Sequence, residues 1–383
     1  MNNSPKQSIL DVARSLAEGF TKHAAESDQL GKLHAEDVRA LRESGYLAIS
    51  VPRSFGGQGM PLHDCVAAHL ELSKGSASLG LLAAMTVQIF GSEREYRQWS
   101  EVHWEALSCA VAEGGLFNTA ASEPRLGSPA RGQVFATTAR SVADGYQIDG
   151  HKTWITGGQH LTDLLVRASL EGIPALLLVP AGTPGVRWEH TWAGALSLRA
   201  SESDDLYLEN VVVPPENLIL HGDGEPGPNA WFPMLIAATY LGVGLAARDA
   251  IIRYALERVP TALGRPIATL PSIQRCIGEI DLALQAAVAL LLDVAAGWPA
   301  DPAHNAACMP RVVAAKQFAA EAAAEAAQGA LRIAGGAGIS SALPFERLFR
   351  DAQAGASHPP SGDMALEIVG RSAIDGMSEG GVG

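Results

Sequence analysis

The sequence predicts a multi-domain α and β protein: an N-terminal helical domain, a middle antiparallel β-barrel and a C-terminal four-helix bundle. Three observations carry this expectation. Apolar residues recur at three- and four-residue steps through the first third. The middle third is rich in residues that suit a pleated surface, with no helical run between its strands. Long alanine-rich helical runs return after a Pro/Gly-rich boundary at residues 221–229. The boundaries this suggests are 1–106, 107–222 and 223–383.

In the first part, Ile9, Leu10, Val12, Ala13, Leu16, Ala17 and Phe20 share one helical face. A second helix over His34–Ser44 stops at Gly45, an extended segment follows over Tyr46–Pro52, and a Gly-rich turn lies at Phe55–Gly59. One further helical run is expected over Leu62–Phe90. The middle part offers strands at 133–142, 145–155, 161–170, 175–180 and 206–213. Its Asp144-Gly145 and Asp149-Gly150 pairs suit the positive φ of tight reversals. Helices are expected at Trp231–Arg258, Pro271–Ala296, Pro302–Ile333 and Ser361–Met377. The third is so rich in alanine, the best helix former, that it belongs inside a bundle.

Composition narrows the function. The 383 residues are 47% apolar and 18% charged, as in a globular enzyme. A net charge of −13 disfavours nucleic acid and anionic membrane surfaces as partners. Cys65, Cys109, Cys276 and Cys308 form no CxxC pair and suit a reducing, cytoplasmic location. The N-terminus lacks the pattern of a secretory signal, and apolar stretches such as Ala286–Trp298 are too short to cross a bilayer.

Generic catalytic motifs are missing. The eleven histidines include no HxxxH or HExxH spacing, so no metal is expected. There is no GxSxG elbow and no GK[ST] phosphate loop. The one GxGxxG, at 222–227, carries Asp223 and Glu225, which repel a pyrophosphate. Taken alone, the glycine turn at 335–338 reads as a helix C-cap, and Trp154 as a strand aromatic filling a core.

Four segments together, however, resemble the acyl-CoA dehydrogenase superfamily of flavoproteins over most of the chain. Ala121-Ser122-Glu123-Pro124-Arg125-Leu126-Gly127-Ser128 is similar to the family's T-E-P-x-x-G-S. Gly150-His151-Lys152-Thr153-Trp154-Ile155-Thr156 is similar to G-x-K-x-W-I-T, the most specific match. Leu198-Arg199-Ala200-Ser201 and the run Leu208–Pro214 resemble the L-R-x-S segment and the exit from the barrel. Arg332-Ile333-Ala334-Gly335-Gly336-Ala337-Gly338 and Arg350-Asp351-Ala352 resemble the Q-x-x-G-G-x-G and R-D-A signatures.

The resemblance implies FAD, with Ser122, Ser128, Trp154, Ile155 and Thr156 at the isoalloxazine. It places Arg332, Gly335 and Gly336 against the FAD of a neighbouring subunit, and so implies a homotetramer or homodimer. Arg258 stands for a flavin-contacting Arg, although the partner Gln falls on Pro271. Amides and hydroxyls aimed at flavin N1 and O2 favour the charge of the reduced ring.

The chain departs from the family at the catalytic base. The family's Glu falls on Pro359, and its alternative position on Met234; the positions that contact CoA fall on Phe232 and Leu235. The remaining candidate for proton chemistry is His358, which equally suits a loop residue hydrogen-bonded for structure. Its setting is similar to that of a histidine in the superfamily's flavin monooxygenases. Ser361 and Asp363 follow flavin-contacting positions, and Asp363 also suits simple helix N-terminal charge.

Three functions stay open. One is an acyl-CoA dehydrogenase-like flavin oxidoreductase with a non-standard active site, taking a small molecule such as an acyl thioester and passing electrons to an electron-transfer flavoprotein. The second is a flavin-dependent monooxygenase or N-hydroxylase, in which reduced FMN or FAD from a flavin reductase is the co-substrate. The third is a catalytically inactive flavin-binding scaffold.

Overall fold

A computed structural model describes residues 8–125, 135–222 and 227–380. Helix α1 (Ile9–Leu30) starts at Ser8, whose hydroxyl accepts from the Asp11 amide, and ends at Gly31 with φ +64°. Helix α2 (Ala35–Glu43) follows. The expected extended segment after Gly45 is instead a pair of short 3₁₀ turns, Tyr46–Ala48 and Arg53–Phe55. Tyr46, Leu47, Ala48, Ile49 and Val51 are all buried, and a short buried apolar run has no periodicity to tell turn from strand. The amides of Ile49 and Val51 pair locally, to Tyr46 and Ala48, which no strand edge allows.

The run over Leu62–Phe90 is two helices, α3 (Leu62–Ser73) and α4 (Ala77–Tyr96). They break where Gly75 presses on the backbone of Ala17 and Ser76 caps α4. Helix α5 (Glu101–Ala112), capped by Ser100, completes the first helical layer.

Among the described residues, eight strands form one sheet: β1 (Phe117–Ala120), β2 (Thr138–Val142), β3 (Gly145–Ile155), β4 (Asp163–Leu170), β5 (Ile173–Pro180), β6 (Val186–Glu189), β7 (Asp204–Val213) and β8 (Leu218–His221). Their order is β6-β7-β3-β2-β4-β5-β8, with β1 beside β4. Five of the pairings are antiparallel; β1–β4 and β2–β4 are parallel, so the sheet is mixed. Three strands that the pattern did not suggest, β1, β6 and β8, have four residues each, too few to show alternation. Gly145 turns the β2–β3 hairpin at φ +135° as expected. Asp149-Gly150 does not reverse the chain: it lies inside β3 at a register shift against β7, where any Cβ on Gly150 would overlap Thr137.

The last part packs α6 (Trp231–Glu257), α7 (Pro271–Ala296), α8 (Asn305–Ala334) and α10 (Gly362–Gly380) as a bundle, with the short α9 (Phe345–Gln353) against it. Helix α6 also packs on α3 and α4, so both helical layers share one core. Its length and composition suffice to cross a membrane, and it is longer than the stretch at 286–298. Yet 78% of its most apolar window is buried, and it is the central helix of the bundle.

The contact between α4 and α6 runs through Gly91, which faces the buried Trp231 indole with no room for a Cβ. Gly91→Ala should therefore lower stability by about 1–3 kcal/mol through overpacking, read as a lower urea midpoint at unchanged slope.

Candidate active site

The site grows from the end of β3. Lys152, with no exposed surface, places its Nζ 2.6 Å from Glu123 Oε1. Glu123 also accepts from the amides of Ala136 and Thr137, at 2.7 and 2.9 Å. Burial works against the Glu123 charge, but the Lys152 ammonium and the two amides overcome it and hold the carboxyl below its usual range. Burial lowers the Lys152 ammonium to about 8, against the pull of Glu123. The pair is thus charged at neutral pH, with both Glu123 oxygens hydrogen-bonded.

This pair locks the Ser122–Pro124 segment to β3, and the Thr153 amide adds a 3.0 Å bond to the Ser122 carbonyl. Two residues on, the β3–β7 register slips between Lys152 and Ile155, and Trp154 takes φ +61°. A bulky residue in the left-handed region costs roughly 1–3 kcal/mol and persists only where its neighbours are fixed. They are fixed here. Thr153 Oγ1 donates to Asp205, Thr156 Oγ1 pairs with Ser203 Oγ at 2.9 Å, and Asn118 Nδ2 donates to the Thr156 carbonyl. The kink leaves the indole 55% exposed inside a cavity.

That cavity, about 750 Å³, lies between sheet and bundle. Ser122, Trp154, Ile155 and Thr156 form one wall; Leu81 and Met85 of α4, Phe232 of α6 and Trp192 close the sides; His358 and Pro359 face them. Among the described residues, no Asp, Glu, Lys or Arg lines it. His358 Nδ1 lies 3.2 Å from the Ala354 carbonyl and 3.0 Å from the Tyr240 hydroxyl. A carbonyl only accepts, so the Ala354 contact is a hydrogen bond when the proton sits on Nδ1, the tautomer that leaves the Nε2 lone pair free. Enclosure by the protein lowers His358 to about 4, and the nearby Lys316 ammonium acts in the same direction. Lys316 is itself buried and donates to the carbonyls of His358 and Pro360, at 2.7 and 2.9 Å, pinning this loop.

The Arg-Asp-Ala segment is a clamp. Arg350 bonds Asp28 of α1 with both terminal nitrogens and also bonds Glu346. The Asp351 carboxylate accepts the amide of Leu198, which stands at φ +53° on the cavity wall.

The chain matches three family models: acyl-CoA dehydrogenase N-terminal domain over residues 4–101, middle domain over 118–211 and C-terminal domain over 234–360. It is 32% identical to the putative acyl-CoA dehydrogenase YdbM of Bacillus subtilis (strain 168), across 98% of both chains. The chain belongs to the acyl-CoA dehydrogenase family. It is accordingly a flavin-dependent oxidoreductase. It is also 30% identical to the human mitochondrial short-chain specific acyl-CoA dehydrogenase, over 91% of this chain and 84% of that one. FMN-bound TdsC from Paenibacillus sp. A11-2 shares the fold at TM-score 0.84 and 25% identity, covering 96% and 97% of the two chains. Butyryl-CoA dehydrogenase from Megasphaera elsdenii does so at 0.82 and 24%, covering 97% and 100%.

The residues present in this acyl-CoA dehydrogenase-family chain fit a flavin ring. An unpartnered indole face, the polar side chains of Asn118, Thr119, Ser122, Thr156 and Ser203, and a neutral, largely apolar enclosure converge on one cavity. Of the residues singled out from sequence, Ser122, Trp154, Ile155, Thr156 and His358 meet there. Arg258, Arg332, Gly335, Gly336, Ser361 and Asp363 are exposed, and none of them lines it. Gly335, at φ +61°, caps α8 through bonds to Leu331 and Arg332. Ser128, and positions 223–226 of the Gly222–Gly227 run, fall outside the described residues. Sequence reasoning missed Asn118, Ser203 and Trp192, which no motif marks; only the fold brings them to the cavity.

Removing one partner of the Lys152–Glu123 pair strands a buried charge. Glu123→Gln or Lys152→Met should cost about 3–5 kcal/mol in denaturant unfolding, with weaker flavin retention measured by absorbance after dialysis.

Proposed function

We propose that this flavin oxidoreductase is a monooxygenase that acts on a neutral, largely apolar small molecule rather than a dehydrogenase of acyl-CoA. The observation that carries this is the lack of any carboxylate among the described cavity residues, with Pro359 standing at the family's Glu position. Phe232 offers a carbon face where the family's dehydrogenases contact CoA.

A bound flavin supplies the two-electron redox chemistry and, once reduced, the activation of oxygen. The protein's own groups do the rest. Trp154, Ser122, Thr156 and Asn118 would hold the ring, the indole through its open face and the other three through polar side chains. Leu81, Met85, Phe232 and Trp192 exclude water and receive apolar substrate. Neutral His358 accepts a hydrogen bond at Nε2 from the reacting centre and orients it.

The exposed Arg258, Arg332, Gly335 and Gly336 suit the FAD bound by a neighbouring copy, and Ser361 and Asp363 stand at flavin-contacting positions. Exposed apolar side chains nearby, Leu282, Ile339, Leu366, Ile374 and Met377, support a homotetramer or homodimer built on the bundle. The four free cysteines fit a reducing, cytoplasmic setting, and the reaction calls for a flavin reductase as electron donor. A second reading, an acyl-CoA dehydrogenase serving an electron-transfer flavoprotein, draws support from the names of the relatives at 30–32% identity.

Anaerobic mixing of the purified flavoprotein with straight-chain acyl-CoAs should leave the flavin absorbance unbleached; rapid bleaching selects the dehydrogenase reading. Reduced flavin, oxygen and an aromatic heterocycle should yield an oxygenated product by mass spectrometry. If neither assay turns over, a catalytically inactive scaffold is indicated.

His358→Ala should lower kcat/KM by about 10²-fold or more while flavin content is kept. Equal loss of both means a structural role. The folded pKa of His358, about 4, lies below its ordinary 6.5, so the unfolded chain binds more protons in that window. Its contribution to stability should therefore fall as pH drops from 6.5 to 4, and the wild-type and His358→Ala stability curves should converge there. The acid limb that His358 gives to kcat should lie near 4, not near 6.5.

A further inference from the structure

Behind the cavity wall, four separate parts of the chain meet at two carboxylates. Glu202 and Asp204 flank the cavity residue Ser203, and both are buried, at 1% and 2% exposure. Asp204 Oδ2 lies 2.6 Å from His190 Nδ1, and its Oδ1 accepts the amides of Thr191 and Trp192. Glu202 Oε2 accepts the Leu33 amide and lies 2.9 Å from His160 Nε2. Its other oxygen, Oε1, is buried with no hydrogen-bond partner. Ligand atoms of His190, Glu202 and Asp204 lie within 4.8 Å of one another. Glu202 itself stands at φ +46°, a strained conformation for a non-glycine residue.

A buried carboxylate oxygen without a donor is costly, and two adjacent buried carboxylates repel. Hydrogen bonds from His160 and His190 answer part of this charge, but among the described residues nothing satisfies Glu202 Oε1. A divalent cation would satisfy it and neutralise both carboxylates.

We propose that His190, Glu202 and Asp204 form a divalent transition-metal site, of the kind Zn²⁺ fills, that clamps the 190–192 segment onto the start of β7. One imidazole and two carboxylates suit such an ion, with solvent as a fourth ligand through the partly exposed His190 side. His160 and the Leu33 amide hold Glu202 from behind, as outer hydrogen-bond partners hold metal carboxylates. Tetrahedral ligands about 2.0 Å from the ion stand about 3.3 Å apart, so the 2.6 Å His190–Asp204 pair must open by less than 1 Å. His190 has the exposure to move that far. His190 lies 12 residues before the Glu202-x-Asp204 pair, a spacing that the HxxxH and HExxH patterns do not cover.

The clamp bears on the active site. Trp192, held by its amide to Asp204 and by its indole to the Leu198 carbonyl, lines the cavity, as does Ser203. Tightening Asp204 and Glu202 around an ion fixes both. The site stands apart from the choice between monooxygenase and dehydrogenase.

The test uses the full-length, flavin-loaded protein, cleared of metal with chelator and titrated with Zn²⁺ by calorimetry. One Zn²⁺ per chain should bind. Glu202→Gln and His190→Ala should each weaken it at least tenfold and abolish the rise in Tm that Zn²⁺ gives the wild type. If Glu202→Gln fails to fold, the more exposed His190→Ala decides, with its flavin absorbance as the check on fold. No binding by wild type, or the same affinity in wild type and the folded variants, overturns the site. So does binding that only His23→Ala removes, which would assign the ion to the cluster of His23, His34 and Asp37.

Discussion

The buried ion pair between Lys152 and Glu123 is the constraint on which the site depends. Neither charge could stay in the interior alone, and each is tolerated because the other is 2.6 Å away and amides complete the carboxylate's bonding. The pair joins two stretches far apart in sequence, the segment before residue 125 and the end of β3. Only with both ends held can the next turn of backbone carry Trp154 at positive φ, and that kink is what presents an indole face to the cavity.

The second layer of constraint comes from the bundle. Helix α6 is apolar nearly all round because it is covered nearly all round, by α3 and α4 on one side and by α7, α8 and α9 on the other. Its first turn brings Phe232 to the cavity. Its Tyr240 hydroxyl meets His358, whose loop Lys316 holds from α8. Arg350 and Asp351 then tie the same bundle to α1 and to Leu198. The cavity is therefore a seam between sheet and bundle, and its two walls are positioned by charged groups that lie outside it.

This arrangement accounts for the contrast between a strongly acidic chain and a neutral site. The charges that bear on the cavity are spent on geometry in buried pairs, while its lining is carbon, hydroxyl, amide and one imidazole. In such a setting the imidazole stays neutral, because charging it costs desolvation and faces the Lys316 ammonium.

Local chemistry made much of this legible. Periodicity and caps placed α2, α6, α7 and α8 within a few residues, and the start of α1, whose helix runs on to Leu30 beyond the face read to Phe20, because helix signals are contained in neighbouring side chains. The Gly-His-Lys-Thr-Trp-Ile-Thr strand and the Ser-Glu-Pro segment marked one wall, and the proline at 359 marked the missing base. Sequence could not show that Gly150 serves a close approach and not a reversal, that residues 46–52 coil, or that Asn118, Ser203 and Trp192 share a cavity with His358. Each of those depends on what lies across the fold from a residue, on Thr137 against Gly150 or on Asp204 beneath Trp192. Residue order determined the elements and the chemistry available; tertiary packing decided which groups meet, because burial and pairing are properties of neighbours that the chain brings together only when folded.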